Sequence, residues 1–318
     1  MKQVSIIIPH YNSVDLLRKL LSSIPEYKEI EIIVIDDNST RGKKELVELT
    51  ESNKFNHVKF MLNNTGVQSA GACRNIGLKH ATGKWILFAD SDDYFLDGFF
   101  KIIEKYFNSD YDVIFFNPTS IYIDTNEVSN RHLKYRNLVL NYIKESSCRN
   151  ESGLRYDYLA PWSKLIRKSI IEDNNIKFDE VLALNDVLFS TKVGYYINDF
   201  LASSEKIYCI TRSKGTLTTT ITNEIMNSKI DVFIRYCKFI NKHVPKNQRE
   251  HLTLTGLGRL LMVLKSGLGL KKAIETYIKL RQNKIKIVDK KYVNPFFVIK
   301  RSILYLENHR NERKYYIK

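Results

Sequence analysis

Asp90-Ser91-Asp92-Asp93 sets three carboxylates within four residues, directly after the apolar run WILFA. Crowding of this kind is costly through mutual repulsion unless a cation or hydrogen-bond donors offset it. Oxygen-only ligation without thiolates suits Mn²⁺ or Mg²⁺, ions that complete their shells with phosphate oxygens. The competing readings are a solvated acidic turn, or an aspartate capping the helix that follows. Asp36-Asp37-Asn38-Ser39 ends a second apolar run, IEIIVI, and its residue types also make good turns and N-caps. A third polar group, His10-Tyr11-Asn12, follows the run VSIIIP.

The elements that must position these groups are strands and helices in alternation. Val4 to Ile8 reads as a short buried strand ending at Pro9. Ser13 is expected to cap a helix whose apolar positions Leu16, Leu17, Leu20, Leu21 and Ile24 follow the 3.6 period. Further strands are expected over 30–35, 58–62, 85–89 and 113–116, with a loop containing Gly66 and Gly71 and a helix from Cys73 to His80. Fully apolar strands alternating with helical patterns indicate an α/β fold, a mostly parallel sheet covered on both faces. In such sheets ligands gather beyond the carboxyl ends of the strands. The three polar clusters fall at those ends, and this is the central observation from sequence. From about residue 225 the pattern turns helical.

Composition bounds the class. The chain has 318 residues, 43% hydrophobic and 27% charged, with only 13 Gly and 6 Pro, which excludes disordered and collagen-like classes. Cys73, Cys148, Cys209 and Cys237 are widely spaced and form no CxxC pair, as expected of reduced thiols in a cytoplasmic protein. Neither a leader peptide nor an uninterrupted apolar run of membrane-spanning length is expected, since Arg259 and Lys265 break the nearest candidate, 252–270.

The net charge of +15 is uneven: residues 226–318 hold 22 Lys and Arg against 6 Asp and Glu, whereas the first 225 hold 28 and 29. One reading is a solvated helical surface. The other is attraction to an anionic surface, lipid or nucleic acid. Cations interleaved with apolar residues at helical spacing, as in LGRLLMVLKSGLGLKKAIETYIKL, favour an anionic membrane surface. Zinc-finger, RNP-type and basic-zipper signatures are missing, so no nucleic acid is expected.

No Walker A sequence or GxGxxG follows any strand, and neither HExxH nor GxSxG occurs. A metal-bridged nucleotide phosphate at the sheet edge survives this pruning. Four segments in order, VSIIIPHYN, IEIIVIDDNST, TGVQSAGACRNIGLKHATGKWILFADSDD and LALNDVLFS, resemble the inverting family-two glycosyltransferases of the GT-A fold over about residues 3 to 220. The resemblance implies a nucleotide-sugar donor, most often UDP-linked, a divalent metal, and direct displacement at the anomeric carbon.

It also implies roles for individual residues. Pro9 and Tyr11 would line the base pocket, and Asp37 would accept a hydrogen bond from the uracil imide. Arg74 and Asn75 would hold the nucleotide, Asp90 would lie near the ribose, and Asp92, in the DxD-like position, would ligate the metal. Asp186 would be the base that takes a proton from the acceptor hydroxyl, preceded by Asn185 where the family usually has Glu. Trp162 and Lys164 resemble an acceptor-side segment, and Arg212 to Thr218 a loop that closes over the diphosphate. His10 receives no catalytic role.

The expected organisation is a GT-A domain, Rossmann-like, over residues 1–224 and a basic helical region over 225–318. The expected reaction moves a hexose or N-acetylhexosamine from a UDP-sugar to a hydroxyl of a glycan acceptor, lipid-linked as in capsule, O-antigen or cell-wall polymer synthesis. The setting would be cytoplasmic, peripheral at the inner face of the membrane. A nucleotidyltransferase and a catalytically silent module binding a nucleotide-sugar or polyanion stand as alternatives. Directly after the first strand, a nucleotidyltransferase would favour a glycine-rich basic loop, which PHYNS does not supply.

Overall fold

The computed structural model describes residues 2–212 and 222–289. Ten strands occur in this part: β1 (Val4–His10), β2 (Ile30–Asp36), β3 (Val58–Leu62), β4 (Trp85–Phe88), β5 (Tyr94–Phe95), β6 (Val113–Phe116), β7 (Thr119–Tyr122), β8 (Lys164–Arg167), β9 (Phe200–Ser203) and β10 (Tyr208–Arg212). Seven of them form one sheet in the order β3-β2-β1-β4-β8-β6-β9, and β5-β10-β7 form a second. The large sheet is mostly parallel, as the sequence predicts, with β8 antiparallel to both β4 and β6.

The helices of the first part are α1 (Val14–Ser22), α2 (Lys43–Thr50), α3 (Ala70–His80), α4 (Phe99–Ile103), α5 (Leu133–Lys144), α6 (Cys148–Asp157), α7 (Lys168–Asp173) and α8 (Val187–Tyr196). Then follow α9 (Asn223–His243), α10 (Lys246–Arg249), α11 (Leu257–Lys265) and α12 (Gly269–Gln282). This is the GT-A arrangement with C-terminal helices. Among the described residues no helix is long and apolar enough to cross a membrane.

The central strands are apolar because both faces are covered: Ile6, Ile7, Ile8, Ile33, Val34, Ile35, Leu87 and Phe88 have no exposed surface. Each such side chain contributes about 1.5–3 kcal/mol on burial. Gly77 lets α3 lie directly on β1, since a Cβ there would sit 2.3 Å from Ile7 Cγ2. A second core joins Tyr156, Val187 and Leu188 to Met226, Ile230, Phe233, Cys237 and Ile240 of α9 and to Val263 and Leu280 of the last helices. The helical region therefore packs on the segment that carries Asp186.

β1 runs past Pro9 to His10, beyond the expected end. Successive residues of a strand direct their polar groups to opposite neighbours. Ile7 bonds toward Ala89 and His10 toward Asp37, so the missing N–H of Pro9 points to the β4 side, where pairing has already ended. Ser13 does stand at the start of α1, but its hydroxyl does not cap the helix; it lies 3.2 Å from Ser91 Oγ instead. Gly71 belongs to α3 rather than to the loop before it, because Ser69 caps that helix through Ala72 N–H.

Candidate active site

The register delivers the polar clusters to one edge. His10 lies opposite Asp36, and Asp36 opposite Leu62, so the residues following β1, β2 and β3 are neighbours. There His10 is buried, its Nδ1–H donating to Asp36 at 2.8 Å while its Nε2 accepts Ser13 N–H at 3.2 Å. Burial alone would raise the Asp36 carboxyl, but hydrogen bonds from His10 and Ser39 outweigh it and hold Asp36 below the usual range. Ser39 in turn accepts Asn12 N–H at 2.9 Å, which ties the loop carrying Tyr11 to the loop carrying Asp37.

Pro9 is buried, and Tyr11, 40% exposed, is free to cover a planar ring. Asp37 is buried and accepts Asn63 Nδ2 at 2.6 Å. The sequence reading missed Asn63, although its position just after β3 is the signal that singles out the other clusters. The neighbouring Cys73 thiol is pushed far up by burial and by the Asp37 carboxylate, so it is an inert core group.

Carboxylate oxygens of Asp90, Asp92 and Asp93 all lie within 4.8 Å of one another. Strand β10 holds their turn in place. Asp93 accepts Thr211 N–H at 2.7 Å and Tyr208 O–H at 2.9 Å, and the Tyr208 oxygen accepts Asp90 N–H at 2.8 Å. Thr211 Oγ1 donates to the Asp92 carbonyl. Asp93 is thus occupied and buried, and burial with its acidic neighbours raises it well above the carboxylate range. Burial and Asp90 push Asp92 up to about 6. No other residue's side chain bonds the Asp92 carboxylate among the described residues.

This crowded, all-oxygen set fits a hard divalent cation. Asp92, with the Asp90 oxygen that Arg74 leaves unbonded, would hold it. Arg131, 3.3 Å from the Thr211 carbonyl, lies within Coulombic reach of Asp92 and Asp93. It is a cation that sequence reading missed, because no motif surrounds it.

Arg74 joins this turn to the Asp186 segment. Its guanidinium donates to Asp90 Oδ1 at 2.5 Å and to Asn185 Oδ1 at 2.7 Å, with its Cζ 5.2 Å from the centre of the Phe178 ring. Asn185 therefore answers Arg74 with a neutral oxygen where the family usually places a charged one.

Asn75 fixes the same segment, bonding the Phe178 backbone in both directions and Glu180. Gly71 permits the approach, since a Cβ there would fall 2.1 Å from the Asp179 carbonyl oxygen. From the other side α9 clamps it through the Arg235–Asp179 ion pair at 2.9 Å and the Ser228 bonds to Ala183. Leu184 adopts a positive φ of 60° at the bend.

Asp186 stands at the N-terminus of α8, yet its carboxylate caps no backbone N–H. Burial raises its pKa; Arg74 and Lys164 pull it back down, while Asp90 adds to the rise. A desolvated carboxylate facing cations, unspent on the helix, is suited to take up a proton.

Trp162 and Lys164 lie deeper than an exposed sugar platform would. Trp162 is 4% exposed and packs against Tyr135, Tyr158 and Tyr208. Lys164 is buried, bonded to the Tyr158 carbonyl at 2.5 Å, and burial lowers it to about 7 against the pull of Asp186. Arg212 donates to Asn130 Oδ1 at 2.9 Å and stacks over Tyr122. Thr218 lies outside the described residues.

The Staphylococcus aureus (strain Mu50 / ATCC 700699) poly(ribitol-phosphate) beta-N-acetylglucosaminyltransferase TarS is 29% identical over 214 residues, 65% of this chain and 35% of that protein. The chain thus spans about a third of that curated relative. A GalNAc(5)-diNAcBac-PP-undecaprenol beta-1,3-glucosyltransferase of Campylobacter jejuni subsp. jejuni serotype O:2 (strain ATCC 700819 / NCTC 11168) is 26% identical over 214 residues, 67% of this chain and 66% of that protein. The crystal structure of S. aureus TarS 1-349 in complex with UDP-GlcNAc superposes with a TM-score of 0.66 at 21% identity, over 99% of this chain and 91% of that one, a likeness of fold. The model of the family described as Glycosyl transferase family 2 matches residues 5–174, the stretch from β1 through the acidic turn to α7. That match takes in more than half of the chain, and the chain belongs to glycosyl transferase family 2.

Proposed function

We propose that this chain moves a hexose or N-acetylhexosamine from a UDP-sugar to a hydroxyl of a glycan acceptor, with inversion at the anomeric carbon. One observation carries the reading: Arg74 binds Asp90, beside the candidate metal ligand, and Asn185, beside the candidate base. The two halves of a displacement, leaving group and incoming alcohol, thereby share one site.

In this reading Pro9, Tyr11 and Asp37 hold the base, Arg74 and Asp90 position the nucleotide, and Asp92 faces the diphosphate. A bound Mn²⁺ or Mg²⁺ would neutralise charge on the departing diphosphate. Asp186 accepts the acceptor O–H proton as that oxygen bonds to the anomeric carbon. The bond from that carbon to the diphosphate oxygen breaks, and UDP leaves with the bonding pair.

The names of the relatives, which specify poly(ribitol-phosphate) and an undecaprenol diphosphate glycan, support this acceptor class. Cell-wall or lipid-linked glycan synthesis, at the inner face of the membrane of a cytoplasmic enzyme, is the corresponding setting. Leu261, Leu264, Leu270, Ile274 and Tyr277 are exposed on α11 and α12 among lysines, which supports contact with an anionic membrane. Co-sedimentation with anionic but not neutral liposomes tests that contact.

The reaction is tested by incubating the chain with UDP-, GDP- and dTDP-sugars, Mn²⁺ and glycan acceptors while following nucleotide release. Release of UDP with a new glycosidic bond supports the proposal. Pyrophosphate release would make the chain a nucleotidyltransferase, and metal-dependent UDP binding without turnover a silent module.

A further inference from the structure

His10 closes β1 with its side chain fully buried, and its two ring nitrogens serve different parts of the site. On one side Nδ1–H donates to Asp36 Oδ1 at 2.8 Å. Ser39 donates to both oxygens of the same carboxylate, at 2.5 Å from its hydroxyl and 2.9 Å from its backbone. The Ser39 hydroxyl, fixed in this way, accepts Asn12 N–H at 2.9 Å. Asn12 Oδ1 accepts the backbone N–H groups of Thr40 and Arg41 at 2.7 and 2.8 Å. Tyr11 is therefore held through both of its chain neighbours. Asp37 is held beside it by its own N–H, which donates to the His10 carbonyl at 2.8 Å.

On the other side Nε2 accepts Ser13 N–H at 3.2 Å, just before α1 begins. A serine in this place ordinarily spends its hydroxyl on the helix. Here the hydroxyl lies 3.2 Å from Ser91 Oγ instead, inside the acidic turn between Asp90 and Asp92. One donor and one acceptor are the two functions of a neutral imidazole, and His10 uses both. A buried polar group whose bonds are all made resists displacement, because each broken bond leaves an unsatisfied partner.

We propose that His10 is a positioning residue for the nucleotide: its Nδ1 sets Tyr11 and Asp37 for the base, and its Nε2 sets how far the acidic turn stands from them. The distance from base to diphosphate is thus fixed by one imidazole. This deepens the proposed transfer and rests on it for the identity of the nucleotide, whereas the two-sided bonding of His10 does not.

Two substitutions separate the two sides. Asn carries an amide nitrogen near the place of Nδ1, and Gln an amide oxygen near that of Nε2. His10→Asn therefore keeps the bond to Asp36 and loses the one to Ser13, and His10→Gln does the reverse. The probes are UMP, which reads the base pocket, and UDP with Mn²⁺, which also reads the acidic turn. Both are measured by calorimetry on the full chain.

His10→Asn is expected to bind UMP within about twofold of the unaltered chain and UDP with Mn²⁺ about tenfold more weakly. His10→Gln is expected to weaken both probes by about tenfold, leaving their ratio unchanged. Ser91→Ala and Ser39→Ala cut the same two connections further along, and should repeat the Asn and Gln patterns respectively should a His10 variant fold poorly. A purely structural role would lower the denaturation midpoint without separating the two probes. Equal loss of both probes in His10→Asn, or affinities within about twofold in every variant, would overturn the positioning role. If the unaltered chain binds no uridine nucleotide, the UDP reading fails, and the same comparison with GMP and GDP or dTMP and dTDP, whichever pair binds, decides the role of His10.

Discussion

Asp90 and Asn185 accept hydrogen bonds from one guanidinium, that of Arg74, at 2.5 and 2.7 Å. One acceptor follows β4 and the other precedes α8, so a single side chain fixes the distance between the acidic turn and the Asp186 segment. The pair is largely enclosed, with 6% exposure for Arg74 and 27% for Asp90. Removing Arg74 takes away the cation bonded to Asp90 while Asp90 still faces Asp92. Breaking a buried pair costs about 3–5 kcal/mol, and partial exposure of Asp90 reduces this to about 2 kcal/mol. Denaturant unfolding of Arg74→Ala is expected to show that loss. Arg74→Lys keeps the charge but not both bonds, and is expected to lose transfer more than stability.

Asp92→Ala removes the carboxylate that no other side chain bonds among the described residues. UDP affinity measured by calorimetry with Mn²⁺ is expected to fall tenfold or more, about 1.4 kcal/mol. Affinity in EDTA, where no cation is present, should be equal in the two proteins.

Gly71→Ala places a methyl group 2.1 Å from the Asp179 carbonyl, a backbone atom that cannot rotate away. Overpacking of this kind costs about 1–3 kcal/mol, and the segment up to Asp186 must shift. Transfer is expected to fall more than UDP affinity, because the segment carries the base and not the nucleotide.

Asp186 is raised above the ordinary carboxylate range, so its basic form is reached at a higher pH and transfer rises with pH through that ionisation. Lys164 pulls Asp186 down, and Lys164→Met is therefore expected to move the acidic limb of the rate profile to higher pH. A purely structural role would lower the rate equally at every pH. Lys164 itself titrates near 7 in the fold against 10.5 when unfolded. The unfolded chain binds more protons between those values, so the lysine's contribution is complete above 10.5 and is lost as pH falls through about 7. The same Lys164→Met substitution should flatten the stability profile over that window, as read by denaturant unfolding at a series of pH values.

The parallel half of the sheet was legible because strands covered on both faces are continuous apolar runs, as in Ile6 to Ile8 and Trp85 to Phe88. The three clusters were legible because they end those runs. β8 was not, since it carries a buried lysine within KLIR, and only the enclosing aromatic rings and the Tyr158 carbonyl make that tolerable. Nor was the small sheet, whose strands β5, β7 and β10 come from distant parts of the chain. The resemblance supplied Arg74 and Asp186 as residues, while their connection through Asn185 depends on a contact across 111 positions that no local pattern records. Ser13 illustrates the converse: its local signal is a helix cap, and a tertiary contact with Ser91 takes the hydroxyl instead.

A single substitution, Asp186→Asn, separates holding the nucleotide from moving the sugar. It keeps the side chain's size and removes its basicity, at a residue whose carboxylate does not cap α8. Calorimetry with UDP and Mn²⁺ should give the unaltered protein's affinity, while the transfer rate falls about 10²–10⁴-fold, the share a positioned base supplies. A variant that transfers sugar at the original rate, or that loses UDP binding together with transfer, would contradict the assignment of Asp186 as the group facing the incoming alcohol.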